Sequence, residues 1–423
     1  MEAENQETRM ARWSEYTTGQ RIRILRGKAL RQSDLAEMTG LSLPTIQQAE
    51  QDKRLTLQTL LLIASALGTD TSVILGQQGP RRGMEQDDRA TVRELSRAVH
   101  DISAGLFPDT VTAPPLATVI ENVRQCWARY WEGKYVAAGS LAGPLIAEAA
   151  ACVRAQPDGE QAKAWTVLSD AYRLAAYVAN LMGARDLAYA AIGHAQTAAS
   201  RADNGLSSAL VMSGRAWIYL RDARLKESLA LAEKAATDIE PRFSQATTGE
   251  LVAYGSHINF AAVVASRIGN GGLAGDYLSQ SHAAGARMGH EARAHGTVFG
   301  PVTASTQAVG VKVALGQTAQ ALGLIADIKP HHEASLSGAA RSRYAMDKAM
   351  AQADAKLWDA SLDTLERALL DHPVWARHQA LPSVIVEKIG RASTARLRRV
   401  SKLVATGLDG ADGFSPATSR TAL

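Results

Sequence analysis

His290 and His295, with Glu291 beside the first, are residue types that bind and activate zinc. A helix turns by about 100° per residue, so a separation of five residues directs the second imidazole about 140° away from the first. Side chains that point in such different directions cannot easily hold one zinc ion. The spacing therefore favours two surface histidines over a metal site.

Two other segments contain residues that are used in nucleotide or metal chemistry. Residues 269–274 match the pattern G-x-G-x-x-A, but that pattern binds a dinucleotide only between a strand and a helix. Here it follows a predicted helix, so a flexible turn between helices is sufficient to explain it. His331 and His332 follow Pro330 in a predicted loop, with no Cys or acidic cluster to complete a metal site.

The sequence contains no other signature of catalysis. It has neither the phosphate-binding pattern G-x-x-x-x-G-K-[ST] nor the nucleophile pattern G-x-S-x-G. Cys126 and Cys152 are the two cysteines, and both fall in helical apolar patterns. They suit buried side chains in a reducing compartment better than a disulfide. We therefore predict no catalytic residue, no metal ligand and no cofactor, and expect that the protein is not an enzyme.

The composition favours helices as the elements that position these side chains. Hydrophobic residues make up 46% of the 423 residues and aromatic residues only 5%, so Ala and Leu supply much of the apolar share. Ala and Leu are strong helix formers, whereas strands are enriched in β-branched and aromatic residues. We predict an all-α protein. The net charge of +4 permits nucleic-acid binding without demonstrating it.

The sequence predicts neither a membrane helix nor a secretion signal. No stretch approaches the roughly 18 uninterrupted apolar residues that a membrane helix needs. Residues 1–13 are polar and of mixed charge, unlike the apolar centre of a signal peptide. We expect a cytoplasmic protein that does not bind membranes.

Residues 19–76 have the apolar spacing and the breaks of four short helices. Gly40 can adopt the left-handed conformation that ends a helix, and Ser42 can cap the helix that follows. Pro44 is acceptable in the first turn of that third helix, where a missing N–H has little effect. The predicted helices are 19–26, 32–38, 43–50 and 57–67.

The motif over residues 32–50 is Q-x-x-L-A-x-x-x-G-x-x-x-x-x-I-x-x-x-E. Together with the apolar positions between 60 and 75, it resembles the Cro/C1-type, or xenobiotic-response-element (XRE), helix-turn-helix family. The resemblance implies a small helical domain that binds double-stranded DNA, in a protein that regulates transcription. The alternative is a four-helix bundle without a role in DNA binding.

The same resemblance implies which side chains contact DNA. The third helix would enter the major groove, where Gln47 and Gln48 can pair with adenine and Leu43 can touch a thymine methyl group. Gln32, at the start of the second helix, and the basic residues after the third helix would contact phosphates. The predicted DNA-binding residues are Gln32, Ser33, Ser42, Leu43, Thr45, Gln47, Gln48, Lys53 and Arg54.

Some positions depart from the family pattern. Arg31 stands where the family usually has a capping Thr or Ser, and Asp52 replaces a usual Gly. Residues 43–44 are apolar where relatives are often polar, and the domain is only modestly basic. One domain alone should bind weakly, so we expect a homodimer on half-sites about 34 Å apart. By analogy with the family, Arg26 would pair with Glu50, unless both are solvated.

From residue 116 to about 391 the chain has the pattern of helix pairs separated by short turns. The turns recur at intervals of about 39 to 50 residues, somewhat longer than a strict tetratricopeptide repeat. We predict a tetratricopeptide-like solenoid of helical hairpins; the alternative is an irregular α-bundle. The predicted turns within pairs are 132–134, 182–183, 222–223, 269–272, 315–317 and 355–356.

Residues 299–301, 311–316 and 343–347 resemble actinobacterial regulators that join such a DNA-binding domain to a tetratricopeptide-like domain. The resemblance implies that the concave face of the solenoid binds a peptide or small-molecule effector. Thr303 and Gln307 stand where Asn and His are expected in relatives, which leaves the ligand open. The predicted ligand-binding residues are Asn180, Arg215, Asn259, Thr303, Gln307 and Tyr344, with His257 as a further polar candidate.

These observations predict a ligand-responsive, sequence-specific transcriptional regulator. The alternative function is a protein-interaction scaffold in which the N-terminal domain binds DNA weakly or not at all. The predicted division of the chain is a flexible segment at 1–18, the helix-turn-helix domain at 19–76, a linker with one helix at 77–115, the helical repeats at 116–392, and a basic helix with a disordered tail at 393–423.

Overall fold

The computed structural model describes most of the chain. The described residues are 16–27, 30–67, 69, 71–75, 86–107, 113–376, 378–390, 399–401 and 403–404. Most of the predicted flexible segment 1–18 and most of the predicted basic helix and tail at 393–423 lie outside these residues. The predicted linker 77–115 is described in part.

Within its described residues, the N-terminal domain has five helices, which are α1 Thr18–Arg26, α2 Gln32–Thr39, α3 Leu43–Glu50, α4 Leu57–Ala66 and α5 Thr71–Ile74. Three of them begin at hydroxyl side chains, because Thr17, Ser42 and Thr56 accept hydrogen bonds from backbone N–H groups in the first turn. Gly40 ends α2 at a φ of 66°, in the left-handed region. The predicted cap at Ser42 and the predicted turn at Gly40 are confirmed.

Each longer helix of this domain contributes side chains to one core. Ile22 on α1, Leu35 on α2, Ile46 on α3 and Leu60 on α4 are all 0% exposed. Burying a large aliphatic side chain stabilises a fold by roughly 1.5 to 3 kcal/mol, so these four positions hold the helices in place.

One helix, α6 Gln86–Ser103, lies between the N-terminal domain and the helical region. Leu95 and Val99 are four residues apart on one face, and both are fully buried in the core of the helical region. The helix that the sequence predicts within the linker is therefore present, and it packs as part of the helical region.

Six helical hairpins follow in the described residues. Their helices are α7 Leu116–Trp131 with α8 Tyr135–Ala155, α9 Ala162–Leu181 with α10 Arg185–Ala202, α11 Gly205–Arg221 with α12 Leu225–Thr237, α13 Thr248–Ile268 with α14 Gly271–Met288, α15 Pro301–Ala314 with α16 Thr318–Asp327, and, after the short α17 Pro330–Glu333, α18 Gly338–Asp354 with α19 Trp358–Asp371. This arrangement confirms the all-α fold, an N-terminal helix-turn-helix followed by a helical region. The tetratricopeptide-like character stays a prediction.

Every hairpin turn contains a residue with positive φ. These residues are Gly133, Gly183, Ala223, Gly269, Gly316 and Lys356. A left-handed residue directly after a helix reverses the chain within a few residues, and glycine adopts it without strain. All six predicted turn positions are confirmed, although the predicted turn at 269–272 is shorter because α14 already begins at Gly271.

A β-hairpin that the sequence analysis did not predict interrupts the helical series. Strands β1 Ala292–Ala294 and β2 Thr297–Phe299 pair antiparallel between α14 and α15. Its turn reaches the first two helical hairpins, where Arg173 donates to the carbonyl of His295 at 2.6 Å and Trp131 donates to that of Gly296 at 3.1 Å. The β-hairpin therefore crosses the interior of the helical region.

His290 and His295 do not lie on a common helix. His290 precedes β1 and His295 lies in the turn between the strands, and both are solvent-exposed, as expected for surface residues. His331 and His332 lie on α17 and not in the predicted loop, because Pro330 can begin a helix. Among the described residues, no group of three or more His, Cys, Asp or Glu side chains could hold a metal ion.

The end of the helical series packs against its first hairpin. The last described helices are α20 Pro373–Ala376, whose Trp375 lies against Gly133, and α21 Leu381–Ile389, which packs on α18. Helix α18 also meets the first hairpin, where a Cβ on Gly338 would lie 3.3 Å from the Glu132 carbonyl oxygen. The hairpins therefore form a closed series around an interior space.

Helix α8, Tyr135–Ala155, is long and apolar enough to cross a membrane by length and composition alone, the one such helix in the described part of the chain. Within its most apolar window 67% of the residues are buried inside the protein, as in a core helix. Cys126 and Cys152 are buried and unbonded to each other, as predicted. Burial raises the pKa of the Cys126 thiol to about 12.

Candidate nucleic-acid interface and the adjoining cavity

The outer face of α3 is open to solvent. Ile46 and Ala49 face the core, which leaves the intervening polar side chains on the outside. Leu43 is 40% exposed and Gln48 is also exposed, while Gln47 is half-buried. Thr45 is half-buried and Ser42 is engaged in the helix cap, where its hydroxyl lies 2.8 Å from that of Thr45. A partner can therefore contact α3 along its N-terminal half without unfolding the domain.

A buried carboxylate at the end of α3 holds this helix to α1 and α2. Glu50 has a fully buried side chain, and Arg26 binds it with two nitrogens, at 2.5 and 3.2 Å. Gln32 donates to the same carboxylate at 2.7 Å, and Arg23 lies 3.8 Å away. A buried charge is tolerated only when such partners satisfy it. The expected Arg26–Glu50 ion pair is present.

The residues that depart from the family pattern have structural partners of their own. Asp52 adopts a φ of 56°, and its carboxylate accepts hydrogen bonds from Gly19 N at 2.5 Å and Thr17 Oγ1 at 2.6 Å. Gly19 itself packs closely on α3, since an added Cβ would lie 2.5 Å from the Glu50 carbonyl oxygen. Asp52 therefore provides a left-handed turn and also ties the loop after α3 to α1.

At the N-terminus of α2, Asp34 in the first turn bonds back to the N-cap residue, Arg31. Asp34 accepts a hydrogen bond from the Arg31 backbone N–H at 2.9 Å, and this bond, followed by the Arg31 side chain, lowers the pKa of the Asp34 carboxyl. The Ser33 hydroxyl donates to Asp34 at 3.2 Å. Arg31 offers no side-chain acceptor to the first-turn N–H groups of α2, and its side chain is 81% exposed. Lys53 and Arg54, in the loop after α3, are exposed as well.

The family of this domain follows from its comparison with known proteins. Residues 22–74 match the family described as helix-turn-helix, from the middle of α1 to the end of α5. Residues 22–74 are a helix-turn-helix domain of the XRE family. Members of this family are DNA-binding transcription regulators. No curated protein matches the chain, and the helical region lies outside the matched residues.

A cavity of about 380 Å³ lies between the helix-turn-helix domain and the helical region. Leu57 and Leu61 of α4 and Thr71 and Ser72 of α5 form one wall. The opposite walls come from first helices of the hairpins, from the β-hairpin and from the segment that contains α20. The interior that the closed series of hairpins encloses is thus covered in part by the DNA-binding domain.

Three of the six predicted ligand-binding residues line this cavity, namely Asn259, Thr303 and Gln307. Asn259 is 5% exposed and accepts a hydrogen bond from Ser281 at 3.2 Å. Thr303 donates from its hydroxyl to Glu291 at 2.5 Å, so this side chain already has a partner. The spacing of Thr303 and Gln307 places both on one face, as the sequence predicts.

The other three predicted residues are not part of the cavity wall. Asn180 is 0% exposed within the core, and its amide has no hydrogen bond among the described residues. Tyr344 is 2% exposed, and its hydroxyl is likewise without one. Arg215 is half-buried on α11. Their predicted role in ligand binding stays a prediction.

Four arginines that the sequence pattern did not indicate also line the cavity, which are Arg173, Arg221, Arg267 and Arg343. All four lie on first helices of hairpins. On α11 the sequence analysis selected Arg215, but Arg221 is six residues farther along and points about 120° away around the helix. Only the rotation of each helix about its axis distinguishes the two, and the apolar pattern of a helix buried on several sides does not reveal that rotation.

Proposed function

We propose that the protein is a sequence-specific transcriptional regulator that binds DNA with α3 of its helix-turn-helix domain. The observation that carries the proposal is the exposed outer face of α3. This helix is held to α1 and α2 by the buried Glu50, whose carboxylate binds Arg26 and Gln32. Side chains on such a face can enter the major groove and reach base edges. The proposed contacts are Gln32, Ser33, Ser42, Leu43, Thr45, Gln47, Gln48, Lys53 and Arg54.

These contacts divide into two kinds. Gln48 is exposed and offers an amide, which can donate to and accept from adenine. Lys53 and Arg54 are exposed in the loop after α3, where a positive charge can approach a phosphate. Gln32 would contact phosphate from the N-terminus of α2, but its amide nitrogen is bound to Glu50. We therefore expect its contribution to DNA affinity to be smaller than that of Arg54.

The regulator acts as a homodimer in this proposal. One domain offers a short recognition surface, with the apolar Leu43 and Pro44 at its start. Two domains on half-sites about 34 Å apart would bind with the combined affinity that one lacks. The helical region would supply the dimer contacts and bind an effector.

Binding of the full-length protein to operator DNA tests this function. Genome-wide mapping of bound DNA identifies the operator, and fluorescence anisotropy then measures its affinity at several salt concentrations. Arg54→Gln should weaken binding to all sequences alike and lower the salt slope by about one, whereas Gln48→Ala should change the preference among operator variants. Arg124→Gln, on the 71% exposed Arg124 of α7, is the matched control and should change neither.

Two results contradict the proposal. The first is binding to no mapped sequence above the affinity for random DNA. The second is an Arg54→Gln variant whose affinity and salt slope equal those of the unmodified protein, together with unchanged sequence preference in Gln48→Ala.

Sedimentation of the protein with operator DNA measures the number of protomers bound, and a single protomer at full affinity excludes the dimer.

A further inference from the structure

The charged side chains in the wall of the cavity are all basic. Four arginines line it, and no Asp or Glu is among the described residues of the wall. Enclosed charges of one sign create a local potential that attracts the opposite charge, and low-dielectric surroundings strengthen it. The cavity therefore favours an anion and disfavours a cation.

Two of the arginines are neutralised from outside the cavity wall. Arg173 is 1% exposed, pairs with Asp170 and stacks on Trp127 with its guanidinium carbon 4.4 Å from the ring centroid. Arg343 binds Asp347, which is 3% exposed, at 3.0 Å. These carboxylates hold the two guanidinium groups in place.

Arg267 is different, because it has no hydrogen bond or ion pair within the described residues. It is half-buried in the wall near the end of α13. Burial, together with the charge of the nearby Arg343, lowers the pKa of its guanidinium to about 10 against the opposing effect of Asp347. An anion that enters the cavity can therefore accept charge-assisted hydrogen bonds from this guanidinium.

The remaining wall suits an apolar body of limited size. Trp131, Tyr177, Trp217 and Phe260 contribute rings to it, and aromatic rings offer large apolar contact areas. The volume of about 380 Å³ falls within the range of about 300 to 1,000 Å³ that is usual for small-molecule sites. A small molecule fits this space better than a folded partner.

We propose that the cavity binds a small organic anion, with a carboxylate or phosphate group held by Arg267 and an apolar body held by the aromatic rings. Because Leu57 and Leu61 of the helix-turn-helix domain form part of the wall, the bound anion contacts both domains. It thereby favours the arrangement in which the two domains are docked. This last step rests on the proposed function, but anion binding itself does not.

The first experiment compares matched probes on the full-length protein without DNA. The probes are 2-naphthoate, 1-naphthyl phosphate, the neutral 2-naphthamide and the cation 2-naphthylmethylammonium. Isothermal titration calorimetry should show that one of the anions binds at least about tenfold more tightly than the amide. The two anions distinguish a carboxylate site from a phosphate site. Equal binding of the anions and the amide, or no saturable binding of either anion, overturns the proposal.

The second experiment uses variants of the arginine without a partner. Arg267→Gln should abolish the preference for the anion over the amide, while Arg267→Lys should retain part of it. Since Arg267 makes no hydrogen bond in the described chain, Arg267→Gln should leave the melting temperature without ligand unchanged or raised. Arg341→Gln, on an exposed arginine of α18, is the matched control. An unchanged preference in Arg267→Gln contradicts the proposal.

The outcomes separate this inference from the proposed function. If the protein binds the anion but no operator DNA, the result supports the anion site and contradicts the proposed regulatory function. If it binds operator DNA but neither anion, the result supports the proposed function and contradicts the anion site. When both bind, adding the preferred anion to the operator titration should change the operator affinity at least about threefold, because the anion contacts only one of the domain arrangements fully.

Discussion

His257 lies on α13 with its ring inside the helical region, where it is 1% exposed. Its Nε2 nitrogen is 3.2 Å from the carbonyl oxygen of Ala209 on the neighbouring α11. Burial, together with the charge of Arg173, lowers the pKa of this imidazole to about 4, against the opposing effect of hydrogen bonds to the backbone of Ala209 and Ala253. The folded protein therefore holds His257 in its neutral form.

The stability of the protein should depend on pH through this residue. The unfolded chain binds a proton below its ordinary pKa near 6.5, whereas the folded chain does so only below about 4. Above pH 6.5 His257 is neutral in both states and has no effect on the free energy of unfolding. As the pH falls from 6.5 towards 4, only the unfolded chain gains the proton, and the free energy of unfolding decreases by up to roughly 3 kcal/mol. His257→Gln should show a shallower loss of its urea midpoint between pH 6.5 and 4. His332→Gln, on an exposed histidine, should follow the unmodified protein; equal slopes in all three would contradict the prediction.

Contacts between single residues were predictable where one motif contains both partners. Arg26 and Glu50 belong to the helix-turn-helix pattern, so the family resemblance predicts their ion pair, which is present at 2.5 Å. Arg173, Arg267 and Arg343 lie on three different helices, and packing between hairpins brings them to one cavity. A sequence that shows apolar residues on nearly all sides of α13 does not indicate which side faces that cavity.

At the scale of elements, helices and turns were predictable and the strands were not. The turns contain Gly or a polar residue next to a helix end, which is a local signal. Strands β1 and β2 are three residues long each, too short for an alternating pattern to distinguish them from a loop. Their position depends on contacts distant in sequence, such as the hydrogen bond from Trp131 to Gly296.

Substitution of Gly296 should displace the turn of the β-hairpin. A Cβ at this position would be 2.6 Å from Nη2 of Arg173 and 2.7 Å from the Trp127 ring, and the backbone has a φ of 67°. Gly296→Ala should therefore lower the melting temperature more than Gly289→Ala, which has a similar φ of 71° but open space around it. The difference should correspond to roughly 1 to 3 kcal/mol. Equal effects of both substitutions would show that the close approach does not matter.

At the scale of the whole molecule, α21 joins the two parts of the chain. Val384 is 3% exposed and belongs to the core of the helix-turn-helix domain, whereas Ile385 belongs to that of the helical region. Thr18 at the start of α1 also donates to Glu387 of α21. The sequence predicts both regions from their own patterns. It does not predict this docking, because residues more than 300 positions apart form the contact.

Shortening Val384 should loosen the docked arrangement. Val384→Ala removes two buried methyl groups, which should reduce the docking free energy by roughly 1.5 kcal/mol. Hydrogen exchange of the backbone amides of α1 in the full-length protein should become faster. Val386→Ala removes the same groups from a half-buried side chain packed on the helical region and should leave α1 unchanged. Unchanged exchange in Val384→Ala would show that α21 does not hold the domain.

Because residues of both domains form the wall of the cavity, operator DNA should in turn change the affinity for the anion. Leu57, Leu61, Thr71 and Ser72 belong to the DNA-binding domain, so occupancy of the cavity and occupancy of the operator depend on the same domain arrangement. Linkage requires that an anion which changes operator affinity by some factor has its own affinity changed by the operator by that same factor. DNA would then act as a heterotropic effector, and protein bound at operators would respond to a different anion concentration from protein free of DNA.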